Sequence, residues 1–67
     1  MNRIGKITSI SINSRKVRVL FEDLDAVSFE LRVAKHINMS TLSINDEVLI
    51  SFMNEKDLKS GIVIAEI

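Results

Sequence analysis

Polar and apolar residues alternate most regularly between residues 15 and 33. Val17, Val19 and Phe21 share one parity and Arg18, Leu20 and Glu22 the other, the period-two mark of a strand with one buried face. A second row, Val27, Phe29, Leu31 and Val33, stands against Ser28, Glu30 and Arg32. Asp23-Leu24-Asp25 lies between the runs and reads as a turn. The two runs are therefore expected to pair as an antiparallel hairpin with both apolar rows inward. Upstream, Ile4 to Ile12 is rich in Ile, Ser and Thr, which favours strand. Its alternation is broken: Ile4, Thr8, Ile10 and Ile12 share a parity that Lys6 interrupts, and Ile7 falls on the other. A bulge near Lys6-Ile7 reconciles the pattern, as where a first strand bends across both sheets of a barrel. Asn13-Ser14 supplies a polar turn.

The last third reads as a turn at residues 44–47, a strand over Val48–Met53, a polar connection over Asn54–Ser60 and a closing strand over Gly61–Ile67. The fourth strand buries Val48, Ile50 and Phe52. The fifth buries Ile62 and Ile64, or else Val63, Ala65 and Ile67, because both parities are apolar. Residues 34–45 abandon period two; Ala34, Ile37, Leu42 and Ile44 are too loosely spaced to define a helix. Ser40-Thr41 starts a turn there or caps a short helical segment. Five strands with a long gap before the fourth predict an all-β fold, a small five-stranded antiparallel barrel formed by residues 1–67 as one domain. An OB-fold fits best, its customary helix short or absent; an SH3-like barrel is the alternative. Closure would remove the open edges that invite aggregation.

Composition adds a partner to this picture. Sixty-seven residues sit near the lower limit for folding without staples, and with no Cys and one His neither a disulfide nor a metal site is at hand. Hydrophobic residues make up 46% of the chain, more than so short a barrel can hide. Once the inward rows are filled, Leu20, Leu49, Met53, Val63 and Ile67 are left over. A strand apolar on both faces is covered on both sides, so these five residues form the candidate interface for a protein partner or further copies of the chain.

Charge and chemistry narrow the function further. Nine basic and nine acidic residues cancel, whereas polynucleotide binding rests on neutralising phosphates and usually shows a basic excess. Arg15, Lys16, Arg18, Arg32, Lys56 and Lys59 are candidates for a local basic surface, but the three Phe fall on inward parities and leave no stacking platform. A single-stranded nucleic-acid-binding OB-fold protein is thus the second reading. His36, near Glu30 or Asp46, has no motif spacing around it and reads as a loop residue. Asp23 and Asp25 offer too few oxygens for calcium and read as a solvated turn. The serines lack an attending His or a Gly-flanked elbow, and Gly5 and Gly61 are isolated. No enzyme, cofactor or metal is expected. Gly61 instead eases entry into the last strand or a close approach. No run reaches the ~18 apolar residues of a membrane span, and Met1–Lys6 has no signal-peptide core. The chain is expected to be cytoplasmic as synthesised.

Four stretches carry a family likeness: Arg3-Ile4-Gly5-Lys6-Ile7, Val17 to Asp25, Asn45 to Phe52 and Asp57 to Ile64. Together they resemble the OB-fold domain of phage baseplate assembly protein V, a domain type shared with tail-spike and VgrG proteins. The resemblance implies a structural role at a baseplate hub or spike, commonly as a trimer, in a virion or phage-tail-like particle. It implies interface surfaces and no catalytic set. Three departures stand out. Asn45 replaces the family's Gly before the Asp, the aromatic third strand is reduced to Phe29, and no C-terminal spike follows within the 67 residues.

Overall fold

A computed structural model describes residues 2–27, 30–54 and 56–67, Leu58 by its backbone alone. Six strands are present: β1 (Asn2–Ser11), β2 (Lys16–Phe21), β3 (Ala26–Val27), β4 (Leu31–Val33), β5 (Glu47–Phe52) and β6 (Gly61–Glu66). Two single 3₁₀ turns, Met39–Thr41 and Leu58–Ser60, are the only helical pieces among the described residues. The sheet runs β1-β5-β6-β4-β2-β3, and a further β1–β2 pairing closes five strands into a barrel with β3 as an extra strand beside β2. This is the small OB-like barrel expected. It is not purely antiparallel, however: β4 and β6 run parallel, with Arg32 opposite Ile62 and Val33 opposite Val63. The reason is topological. A closed ring with an odd number of strands cannot alternate direction all the way round, so at least one neighbouring pair must be parallel.

The inward rows form one core. Val17, Val19 and Phe21 of β2, Leu31 and Val33 of β4, and Val48, Ile50 and Phe52 of β5 are all buried, with Ile7 and Val63 between them. The Phe21 and Phe52 rings meet at 5.7 Å and a 53° tilt, within the range of favourable aromatic pairs. The bore is narrow. A Cβ on Gly5 would stand 3.0 Å from Val19 Cβ, and one on Gly61 2.8 Å from Phe52 Cε1. Gly61, at φ −72°, is there for the space its missing side chain leaves.

Three slips of register decide which apolar residues reach this core. In β1, Ile7 faces Val19 but Ser9 faces Arg18, so the extra residue is Thr8, one position beyond the expected bulge; its Oγ1 donates to Arg18 O. In β6, Leu49 faces Ala65 while Ile50 faces Val63, which makes Ile64 the extra residue. Neither expected parity holds along the whole strand: Val63 is fully buried, Ile62, Ile64 and Ala65 are half-buried, and Ile67 is 69% exposed. The third slip divides the expected third strand in two. Leu20 faces Val27, but Val17 faces Leu31, so the two pairings with β2 are offset from one another by one residue. Val27, expected inward, therefore lies on the outer face and is 56% exposed. The cause lies at the hairpin turn, where Ala26 sits opposite Phe21 and takes the inward place. Ser28 and Phe29, expected outward and inward, lie outside the described residues.

The chain between β4 and β5 contributes further core residues. Ile37, Met39 and Leu42 are buried there, while Ile44 is exposed. Where a helix was expected to be short or absent, one 3₁₀ turn is found. Asn38, not Ser40 or Thr41, caps it by accepting from Ser40 N at 3.0 Å. Arg15, whose φ of 54° turns the chain between β1 and β2, reaches across to donate to Ala34 O at 2.8 Å and Ile37 O at 2.9 Å. The segment re-enters the barrel through Asn45 and Asp46, which exchange backbone hydrogen bonds with Ile7. Asn45 has φ 76°, a conformation that Asn tolerates better than most residues.

Candidate protein-interaction face

The outer face of β5, β1 and β2 carries a concave surface. Directly opposed residues on neighbouring strands point to the same side of a sheet. Leu49 is opposite Ile4, Lys6 is opposite both Glu47 and Leu20, and Leu20 is opposite Val27. An apolar row thus crosses the outside of the barrel from Leu49 through Ile4 to Leu20 and Val27, with the Lys6 stem in its path. Ile4 is 52% exposed, and Leu20 and Leu49 are half-buried. Most of this row lines an open groove of about 820 Å³, whose walls carry Arg3, Lys6, Glu22, Asp23 and Glu47.

Ion pairs hold the walls. Arg3 Nη1 meets Asp23 Oδ2 at 2.6 Å, and Lys6 Nζ meets Glu22 Oε1 at 3.1 Å. Glu22 and Asp23 remain mostly exposed, so the pairs add little stability. They do fix where the charges stand. Arg3 Nε is buried without an acceptor among the described residues. Further along β2 the charge changes sign. Lys16 lies opposite Arg32 across the β2–β4 pairing, with Arg18 exposed beside them. None of these three cations has an ion-pair partner among the described residues. Like charges directly opposed on a sheet cost stability, so this cluster is a charged feature the fold itself does not neutralise.

The five candidate interface residues separate. Leu20 and Leu49 lie together in the groove. Val63 does not belong to any outer surface: its side chain faces inward and is 0% exposed. Met53 is 79% exposed at the start of the β5–β6 connection and does not line the groove. Ile67 is exposed beside Glu47, whose carbonyl accepts from Ile67 N. Ile4 and Val27 were missed. The signal for Val27 was the turn itself, since pairing Ala26 with Phe21 forces Val27 outward.

The remaining candidates serve the fold. His36 is exposed, and its Nε2 donates to Ile64 O at 3.1 Å. Asp23 is held by Arg3, and Asp25 closes the β2–β3 turn at φ 49°. Arg15 is consumed by the β4–β5 connection and leaves the basic cluster. No group of three or more His, Cys, Asp or Glu side chains able to hold a metal occurs among the described residues. Among those residues, too, no helix is long and apolar enough to cross a membrane. No protein-family model matches the chain, and no curated protein matches it in sequence.

Proposed function

We propose that this barrel is a non-catalytic structural module that binds other protein surfaces through the outer face of β5, β1 and β2, as a component of a phage or phage-like tail or baseplate hub. The observation that carries the binding part is the apolar row Leu49–Ile4–Leu20–Val27 on a continuous sheet, with Ile4 and Val27 more than half exposed, Leu20 and Leu49 half-buried, and fixed charges at its rim. Water-exposed aliphatic rows of this kind mark interaction sites. The tail assignment draws on the sequence resemblance. Its departure at Asn45 is conservative in backbone terms, because the positive φ there suits the Gly of the family and, next best, Asn. The protein would be made in the cytoplasm and carried in the assembled particle. Mass spectrometry of tail-like particles purified from cells that make the protein tests this. Recovery in fixed proportion to the tail-tube and baseplate proteins is expected, and its absence from intact particles overturns the tail assignment.

One observation favours the second reading, a single-stranded nucleic-acid binder. Lys16, Arg18 and Arg32 have no ion-pair partner among the described residues and lie on the two strands whose outer face binds oligonucleotides in OB-folds. Against it, Phe21 and Phe52 are core residues, and the formal net charge is zero. Titration of labelled single-stranded DNA and RNA at low salt decides between them; saturable binding there favours the second reading.

A further inference from the structure

We infer that an extended segment of a partner protein adds as a short antiparallel strand to the open edge of β1 at Asn2–Ile4, with an aliphatic side chain beside Ile4 and a Lys or Arg two residues away on the same face. The inference deepens the protein-binding reading above and rests on it. β1 has a neighbour on both sides over only part of its length. It pairs with β5 from Asn2 to Lys6, and with β2 from Lys6 to Ser11. From Asn2 to Gly5 the side away from β5 is therefore a bare strand edge.

The ladder decides which groups face that edge. Opposed residues of antiparallel strands alternate between pairs that exchange both backbone hydrogen bonds and pairs that exchange none. The Glu47 carbonyl is turned from β1 and accepts from Ile67 N, while Ile7 bonds to Asp46 O and Asn45 N on the β5 side. Lys6–Glu47 is thus a pair that exchanges none, and so, stepping by two, are Ile4–Leu49 and Asn2–Ser51. The amides and carbonyls of Asn2, Ile4 and Lys6 all point away from β5. Those of Lys6 are directed at Leu20. Those of Asn2 and Ile4 find no partner among the described residues, because β2 ends at Phe21. They open instead beside the groove that Asn2, Ile4, Leu20, Glu22 and Asp23 line. Unpaired strand edges are templates for another strand, with main-chain hydrogen bonds giving affinity and alternate side chains specificity.

The groove also selects the side chains. A residue opposite Ile4 on an added strand points to the same side as Ile4. It would prolong the row Leu49–Ile4 and share the groove with Leu20, so an aliphatic residue fits. Arg3 and Lys6 face three carboxylates there, Glu22, Asp23 and Glu47. Both cations are already engaged, by Asp23 and Glu22, and Glu47 has no ion-pair partner among the described residues. Beyond their pairs, the Asp23 and Glu22 side chains stay 62% and 64% exposed. The surplus is negative, so a Lys or Arg two residues from the aliphatic one is complementary and an acidic segment is rejected.

Hydrogen exchange and NMR of the isotope-labelled full chain test this. In the dilute free protein the Ile4 amide is expected to exchange about tenfold or more faster than that of Gly5, which faces β5; equal protection overturns the inference. The capped peptide acetyl-Lys-Thr-Val-Thr-Lys-amide, with Val and both Lys on one face, is then the probe. Saturable shifts at Asn2, Ile4 and Leu20, a dissociation constant of about 1 mM or tighter and slowed exchange at Ile4 are expected. No saturable binding overturns the inference. Methylating the Val nitrogen of the peptide removes the donor to Ile4 O and should weaken binding about tenfold or more; indifference to it overturns strand pairing. Glu in place of both Lys should weaken it similarly, and Glu22→Gln in the protein about threefold; an acidic peptide that binds equally well overturns the assigned chemistry. Ile4→Pro, which removes the open amide, should abolish binding, while Ile4→Val keeps it. Should the Pro variant fail to fold by circular dichroism, the methylated peptide decides. Protection of Ile4 that rises with protein concentration alone makes the occupant a second copy and overturns the partner segment. A chain recovered from tail-like particles with its Ile4 amide still open to exchange removes the strand addition and leaves the protein-binding reading standing.

Discussion

The two long connections of this barrel, residues 34–46 and 53–60, are built on opposite principles. The first turns its apolar side chains inward. Ile37, Met39 and Leu42 are buried beneath the barrel strands, and hydrogen bonds from Arg15, His36 and Thr41 tie the segment to β6 and the β1–β2 turn. The second, in the hydrogen bonds of its Asn54, Asp57 and Ser60, is tied locally. Asn54, Asp57 and Ser60 hydrogen-bond one another and the backbone between them, and Met53 stands 79% exposed. A barrel of 67 residues has little interior to spare, so a connection that supplies core becomes part of the fold, while a polar stretch can satisfy its own backbone locally.

That contrast can be broken at several points. The largest effect is expected from Met39→Ala or Leu42→Ala, each about 2–5 kcal/mol by lost burial and residual cavity. Small domains are stable by only about 5–15 kcal/mol, so either variant should unfold at a far lower urea midpoint, followed by far-UV circular dichroism. A loss under about 1 kcal/mol would mean that the first connection is not core. Next comes Arg15→Ala, which strands the Ala34 and Ile37 carbonyls and should cost about 1.5–3 kcal/mol. Arg15→Gly should cost less than Arg15→Ala, because Gly relieves the positive φ while losing the same hydrogen bonds; equal costs would discount that backbone term. Where the second connection re-enters the barrel, Gly61→Ala should cost about 1–3 kcal/mol by pressing on Phe52. Within that connection, Asp57→Ala removes the acceptor for Lys59 N and should cost about 1 kcal/mol. Met53→Ser should fall within about 0.5 kcal/mol of no change. A large loss from that last substitution would show that the second connection is covered after all, and would move the search for a partner toward it.

How far the fold was legible depended on how local its causes were. The β2 row Val17, Val19, Phe21 and the β5 row Val48, Ile50, Phe52 were readable because each strand is uninterrupted and polar on its other face at most positions. The turns at residues 12–15 and 22–25 announced themselves through polar residues, although nothing local marked Arg15 as the residue that would turn and then anchor another loop. Met39 was passed over because burial by a 3₁₀ turn leaves no period to detect. In the candidate face, Leu20 and Leu49 were legible as apolar residues on the outer parity of clean strands. Val27 was assigned inward because its parity was carried over from Leu31 and Val33, whose pairing with β2 is offset by one residue from that of β3, and Val63 was placed outside because both parities of the last strand are apolar and nothing local chooses between them.

By itself, the order of residues determined that this chain makes short strands with one greasy face, that five of them close, and that two polar turns and two longer connections join them. Those features follow from alternation and turn chemistry acting over a few neighbours. Only the tertiary structure decided where each ladder slips, which pair must run parallel, and hence that Ile4 and Val27 come to lie beside Leu20 and Leu49 on the outside. Register is set by the strand opposite, not by the strand itself, and in a closed ring each strand must satisfy two neighbours at once.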